Sequence, residues 1–240
     1  AVESVVIDGL GGDDTVRFGK DAKAQEFTLR NVENVVVSGV DVEATVESKL
    51  NSLKLESVVE DNVTTAATAN LKFDAAAVAG SDDVLNVSVK DANAKLTVNG
   101  FETVNVALGG EFTGAFTLTA DKSAGSTQAV NLTGGKKDGS VDLTFDNNAS
   151  SKLTDLTIDG SGLAAGVGTV AIEGQAQNIK NVVVKGSTSA ANNFNVTVDD
   201  EKQSLTVIGG DKDDTFNATK AIETFTGGKG DDKFKFDADS

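Results

Sequence analysis

Three glycine- and aspartate-rich stretches hold the residues best suited to chemistry. Gly227-Gly228-Lys229-Gly230-Asp231-Asp232-Lys233-Phe234-Lys235 fits the nonapeptide G-G-x-G-x-D-x-U-x, where U is a large apolar residue, at every fixed position. The stretch from Gly209 to Asn217 fits it with Lys212 in place of the third glycine, and that from Gly9 to Arg17 with Leu10 in place of the second. Glycines let the backbone turn so that its carbonyls converge, and the aspartates add carboxylates. Such an all-oxygen donor set suits a hard divalent ion, above all Ca2+, which takes about six to eight oxygens in flexible geometry. The candidate metal-holding residues are Gly9, Gly12 and Asp14, then Gly209, Asp211 and Asp214, then Gly227, Gly230 and Asp232.

Spacing turns the motif into a geometric expectation. Gly209 and Gly227 are 18 residues apart, which is two nonapeptides, and Phe225 falls midway between Phe216 and Phe234. In a parallel roll one nonapeptide makes a turn and a short strand, and two make a coil. The turn Gly209–Asp214 should then stack on Gly227–Asp232, with Asp214 and Asp232 approaching one ion from two turns. Phe216, Phe225 and Phe234 should point inward. Two weaker echoes exist. Asp82-Asp83-Val84-Leu85 keeps the motif's ending behind Gly80, and Gly134 to Gly139 puts glycine where the liganding aspartate belongs. Both read as structural turns without an ion.

The elements that must position these turns are short strands. A phrase of apolar residue, Glu or Lys, small polar residue and then alternating β-branched residues recurs irregularly. It appears as Val32-Glu33-Asn34-Val35, Phe101-Glu102-Thr103-Val104 and Ile222-Glu223-Thr224-Phe225. Clusters of Gly, Asp, Asn and Ser separate the copies. The pattern predicts an all-β fold, a right-handed parallel β-solenoid, with a two-domain β-sandwich as the structural alternative. One elongated segment is expected over 1–240, with a hinge near 120–128. From Val42 to Leu53 the residues Val42, Val46, Leu50 and Leu53 fit a helical face, yet the segment also reads as two strands. The opening and closing stretches repeat one another in order, as expected of a piece of a longer solenoid.

Composition excludes several chemistries. The 240 residues contain no His, Cys, Met, Trp, Tyr or Pro. A Ser-His-Asp triad, a cysteine nucleophile, a His- or thiolate-bound zinc and disulfides are therefore all ruled out. The net charge of −16 disfavours a nucleic-acid partner and opposes compaction unless cations bind. The chain is expected not to be an enzyme.

The nonapeptides at Gly9, Gly209 and Gly227 resemble those of RTX proteins, which leave Gram-negative bacteria by type I secretion. Together with the strand phrases and the Phe-only aromatic content, they make the chain similar to the RTX surface-layer proteins of Caulobacter and Campylobacter. That resemblance implies an extracellular structural protein that tiles the cell surface as a calcium-dependent two-dimensional lattice of its own copies. Cell-surface polysaccharide would be bound by regions outside this segment, and Asp14, Asp214 and Asp232 would be the liganding aspartates. The alternatives are the calcium-binding segment of an RTX adhesin, or a non-catalytic segment flanking an RTX secreted enzyme or toxin.

Overall fold

The computed structural model describes residues 4–20, 22, 26–120, 127–147, 152–174, 178–198, 203–219 and 221–236. Within them the chain runs through short strands that alternate between two parallel sheets. One sheet has eleven strands, from Ser4–Asp8 to Lys233–Lys235, and the other ten, from Thr15–Phe18 to Ile222–Thr226. Each strand pairs in parallel with the next strand of its own sheet, so the chain visits one sheet and then the other in successive coils. This is a parallel β-solenoid. The sandwich alternative, with its antiparallel hairpins, is not what forms. The one antiparallel pair among the described residues, Val58–Glu60 with Val63–Thr65, is a hairpin that projects from a single coil with Val59 and Val63 exposed.

Strand patterning explains the layers. Asp41–Val46 alternates exposed and buried residues at every step, and Val84–Val89 does nearly the same. Alternation of period two puts every second side chain between the sheets. The buried rows form one continuous core running from Phe18 through Val35, Leu53, Val104, Ile158 and Val184 to Phe216. The segment from Val42 to Leu53 resolves as two strands, Asp41–Val46 and Ser52–Glu56, with Leu50 buried in the turn between them. Its helical spacing was an accident of that turn's length. No α-helix occurs among the described residues, and none there is long and apolar enough to cross a membrane.

Coil length varies, which explains the irregular spacing of the phrases. Glu26 lies opposite Glu43, 17 residues on, whereas Leu53 lies opposite Val87, 34 residues on. The extra length leaves in turns and in the hairpin, so strand register survives. Within the expected hinge, residues 121–126 lie outside the described ones. The flanking strands Gly114–Ala120 and Thr127–Gly134 each pair with strands on both sides.

Candidate metal centre

The last two glycine turns lie one on the other. Gly209 N–H donates to Thr226 O (2.8 Å), Lys229 N–H to Gly210 O (3.0 Å) and Lys233 N–H to Asp214 O (2.8 Å). Thr215, Phe216 and Asn217 sit opposite Lys233, Phe234 and Lys235, so the 18-residue phase is one coil. The rings stack as the spacing predicts, with Phe216 fully buried, Phe225 partly so and Phe234 left 42% exposed in this last coil. Phe216 and Phe234 are 4.8 Å apart and nearly parallel, and Phe225 reaches Phe216 from the other sheet at 5.5 Å.

Asp214 and Asp232 end their turns immediately before a strand. Asp214 is buried, and its Oδ1 accepts the Asn192 N–H (2.7 Å) and Asn192 Nδ2 (2.9 Å) while Oδ2 accepts the Gly210 N–H (2.6 Å). Three N–H donors offset the loss of water around a buried carboxylate. The Asp214 N–H in turn donates to Asp232 Oδ1 (2.9 Å). Asn192, Asp214 and Asp232 thus form a column in which each side chain reaches back to the backbone of the coil before it.

Above the first glycine of the turn, oxygens converge. A β-carbon on Gly209 would overlap both the carbonyl of Gly227, from the next coil, and Oδ2 of its own Asp214. The turn at Gly9 repeats this with the carbonyl of Asn31 and with Asp14 Oδ2, 2.6 Å from the β-carbon position. Asp232 Oδ2 occupies the same place over Gly227. Only glycine fits: over Gly227 it is crowded by the Asp232 side chain alone, and over Gly9 and Gly209 by one carboxylate oxygen and one carbonyl from successive coils. Those two oxygens are close enough to share an ion of the size of Ca2+. Among the described residues no three His, Cys, Asp or Glu side chains converge on one point, so backbone carbonyls would make up most of such a site.

The nine candidate residues therefore fall into two groups. Gly209, Asp214, Gly227 and Asp232 come together on one edge of the solenoid, with Gly230 shaping the turn at φ +104°. Gly9, Gly12 and Asp14 connect the sheets in the opposite sense, at the other end of the strand order. Asp211 takes no part in the cradle, since its exposed carboxylate pairs with Lys229 Nζ at 3.0 Å. Leu10 sits at φ +68° where Gly228 sits at φ +101°, so the departure from the motif places a branched side chain in the left-handed region. Lys212, which replaces the third glycine, has no such φ.

No match is found among family models, curated proteins or solved structures. The chemistry of the turns therefore carries the interpretation.

Two kinds of residue that contact the aspartate turns escaped the motif. Asn192 donates twice to Asp214 Oδ1, and it was hidden because an amide stands where the motif has a carboxylate. The glutamates of the strand phrases are the other kind. Glu33 Oε2 accepts the Asp14 N–H (2.9 Å), and Glu102 Oε2 accepts the Asp83 N–H (3.0 Å). Their signal was present in the sequence, since the phrase glutamate and the nonapeptide's sixth residue both directly precede a strand.

Proposed function

We propose that this chain is a calcium-stabilised, non-catalytic structural segment of a secreted bacterial surface layer. The observation that carries the reading is the oxygen cradle over Gly9 and Gly209. In both, a turn's own aspartate and the next coil's carbonyl converge where a side chain cannot go. Asp14, Asp214 and Asp232 would hold the ions, with glycine-turn carbonyls completing the set.

The physical logic fits an exported rod. Extracellular calcium modules bind at about 10⁻⁴–10⁻³ M, close to the calcium level outside cells. Each filled site would then stabilise the fold by about 1 kcal/mol through mass action, and several together matter in a chain of charge −16. Where calcium is scarce, as in cytoplasm, the same repulsion leaves the chain loosely folded and fit for type I secretion, with folding coupled to metal binding outside. Broad sheet faces suit lateral contact with further copies. Besides a smaller hollow of about 150 Å³ on the other sheet, bordered by Glu26, Glu43 and Lys72, a shallow groove of about 400 Å³ is lined by Ser52, Lys54, Asn86, Ser88, Asn105 and Asn131 among others and by no carboxylate. Its Asn86, Asn105 and Asn131 amides hydrogen-bond in series at 2.9 Å, a ladder that ties three successive coils together.

The test is assembly. Purified protein at millimolar Ca2+ should form sheet-like arrays in negative-stain electron microscopy, and chelator should disperse them. Protein that stays monodisperse, with the same circular dichroism and melting temperature in Ca2+ and in chelator, would overturn the reading.

A further inference from the structure

Away from the glycine nonapeptides, a second column of side chains meets on the edge that also carries Asp14. Asp83 directly precedes the strand Val84–Val89, and Glu102 directly precedes Thr103–Leu108 one coil later. Gln128 follows one coil further, in register with Glu102 because Thr103 pairs with Ala129. The backbone ties the three together. The Thr103 N–H donates to Asp83 O (3.1 Å) and the Ala129 N–H to Glu102 O (2.8 Å). The side chains reach back in the same sense, with Glu102 Oε2 accepting the Asp83 N–H (3.0 Å) and Gln128 Nε2 donating to Phe101 O (3.1 Å).

That leaves one oxygen on each residue unaccounted for. Asp83 Oδ2, Glu102 Oε1 and Gln128 Oε1 are all buried and have no hydrogen-bond partner. Gln128 is 2% exposed, and its amide cannot be turned over, since its oxygen would then face the Phe101 carbonyl. Neither carboxylate has an ion-pair partner among the described residues. Buried acceptors normally find donors, so three without one at matched positions of successive coils call for a buried water, a proton or a cation. One proton bridges two oxygens and leaves the third bare. A hard divalent cation accepts all three and adds turn carbonyls.

We infer that Asp83, Glu102 and Gln128 hold a divalent cation of the calcium class between three successive coils. This revises the expectation that the turn at Gly80–Asp83 is purely structural. It does not rest on the glycine-turn reading, because Glu102 and Gln128 belong to no nonapeptide. The same rung recurs once: Glu33 caps the Asp14 N–H, and Asp14 Oδ2 is likewise buried without a partner. There the next coil supplies Asn51, not glutamine.

Calcium titration by calorimetry of the full chain, stripped with chelator, tests the site. Three forms are compared: the wild type, Glu102→Gln, and Asp214→Asn/Asp232→Asn. In Glu102→Gln the new amide oxygen can still accept the Asp83 N–H, while a buried negative charge is removed. It should lose one equivalent of calcium, or at least ten-fold in affinity at one site, and its melting temperature in chelator should rise. Gln128→Leu should lose the same equivalent without that rise. Unchanged stoichiometry and affinity in both Glu102→Gln and Gln128→Leu would overturn the inference. The aspartate pair separates the two readings. Heat lost only in Asp214→Asn/Asp232→Asn leaves the glycine turns and removes this site, and heat lost only in Glu102→Gln does the reverse.

Discussion

At Leu10 the chain accepts a left-handed backbone that its related turn gives to glycine. A branched residue there costs about 1 kcal/mol or more, and the 78% exposed side chain recovers little through burial. Leu10→Gly should therefore leave stability unchanged or raise it by up to about 1 kcal/mol in urea unfolding, since glycine's greater freedom when unfolded offsets part of the relief. Gly209→Ala works the other way. Its methyl would overlap Gly227 O and Asp214 Oδ2, so a loss of about 1–3 kcal/mol is expected, together with weaker calcium binding. A variant as stable and as tightly binding as the wild type would place the cradle elsewhere.

Glu56 gives a pH prediction at the same scale. Arg17 Nη1 lies 2.7 Å from its carboxylate, Ser38 Oγ and Lys54 Nζ add further bonds, and together they outweigh burial and hold its pKa down to about 2, below the ordinary 4.5. A lowered carboxylate pKa stabilises the fold above the unfolded value, and that stability fades as pH falls from about 4.5 towards 2. Because the Arg17 side chain is mostly exposed, screening reduces the expected contribution to about 1 kcal/mol. Urea midpoints at pH 6 and pH 3 should converge more closely in Glu56→Gln than in the wild type. An identical acid sensitivity in both would count against the assignment.

At the scale of elements, much of the fold was readable from residues. Period-two alternation in stretches such as Asp41–Val46 needs no tertiary information, and the 18-residue phase placed Phe216 over Phe234 before any coordinates. What escaped had physical causes. Coils between Glu26 and Leu205 absorb variable turns, so the repeat loses its period while the strands keep their register. The hairpin Val58–Glu60/Val63–Thr65 was invisible because its strands carry the same β-branched residues as the solenoid's own. It contributes nothing to the core, and replacing it with a short glycine turn should shift the melting temperature by only a few degrees. Phe216→Ala removes a ring packed against Phe194, Phe225 and Phe234 and should cost about 3–5 kcal/mol. Comparable losses from the two changes would show that the hairpin is part of the folding unit.

For the whole molecule, the candidate site was legible only where glycine and aspartate coincide. The proposed liganding positions of the complete motif stood out, whereas Asn192, Glu33 and Glu102 meet the turns through register, which a linear reading does not supply. On the proposed reading, a stack of coils with oxygens between its turns, in a chain carrying a surplus of carboxylates, would tie folding to cations. The most direct measurement is calcium titration by calorimetry of the chelator-stripped chain beside Asp214→Asn/Asp232→Asn, with far-ultraviolet circular dichroism at each point. Saturable heat and a gain in β signal that are both diminished in the double variant are the expected result. A wild type that is fully folded in chelator and evolves no binding heat would contradict a calcium-stabilised solenoid outright.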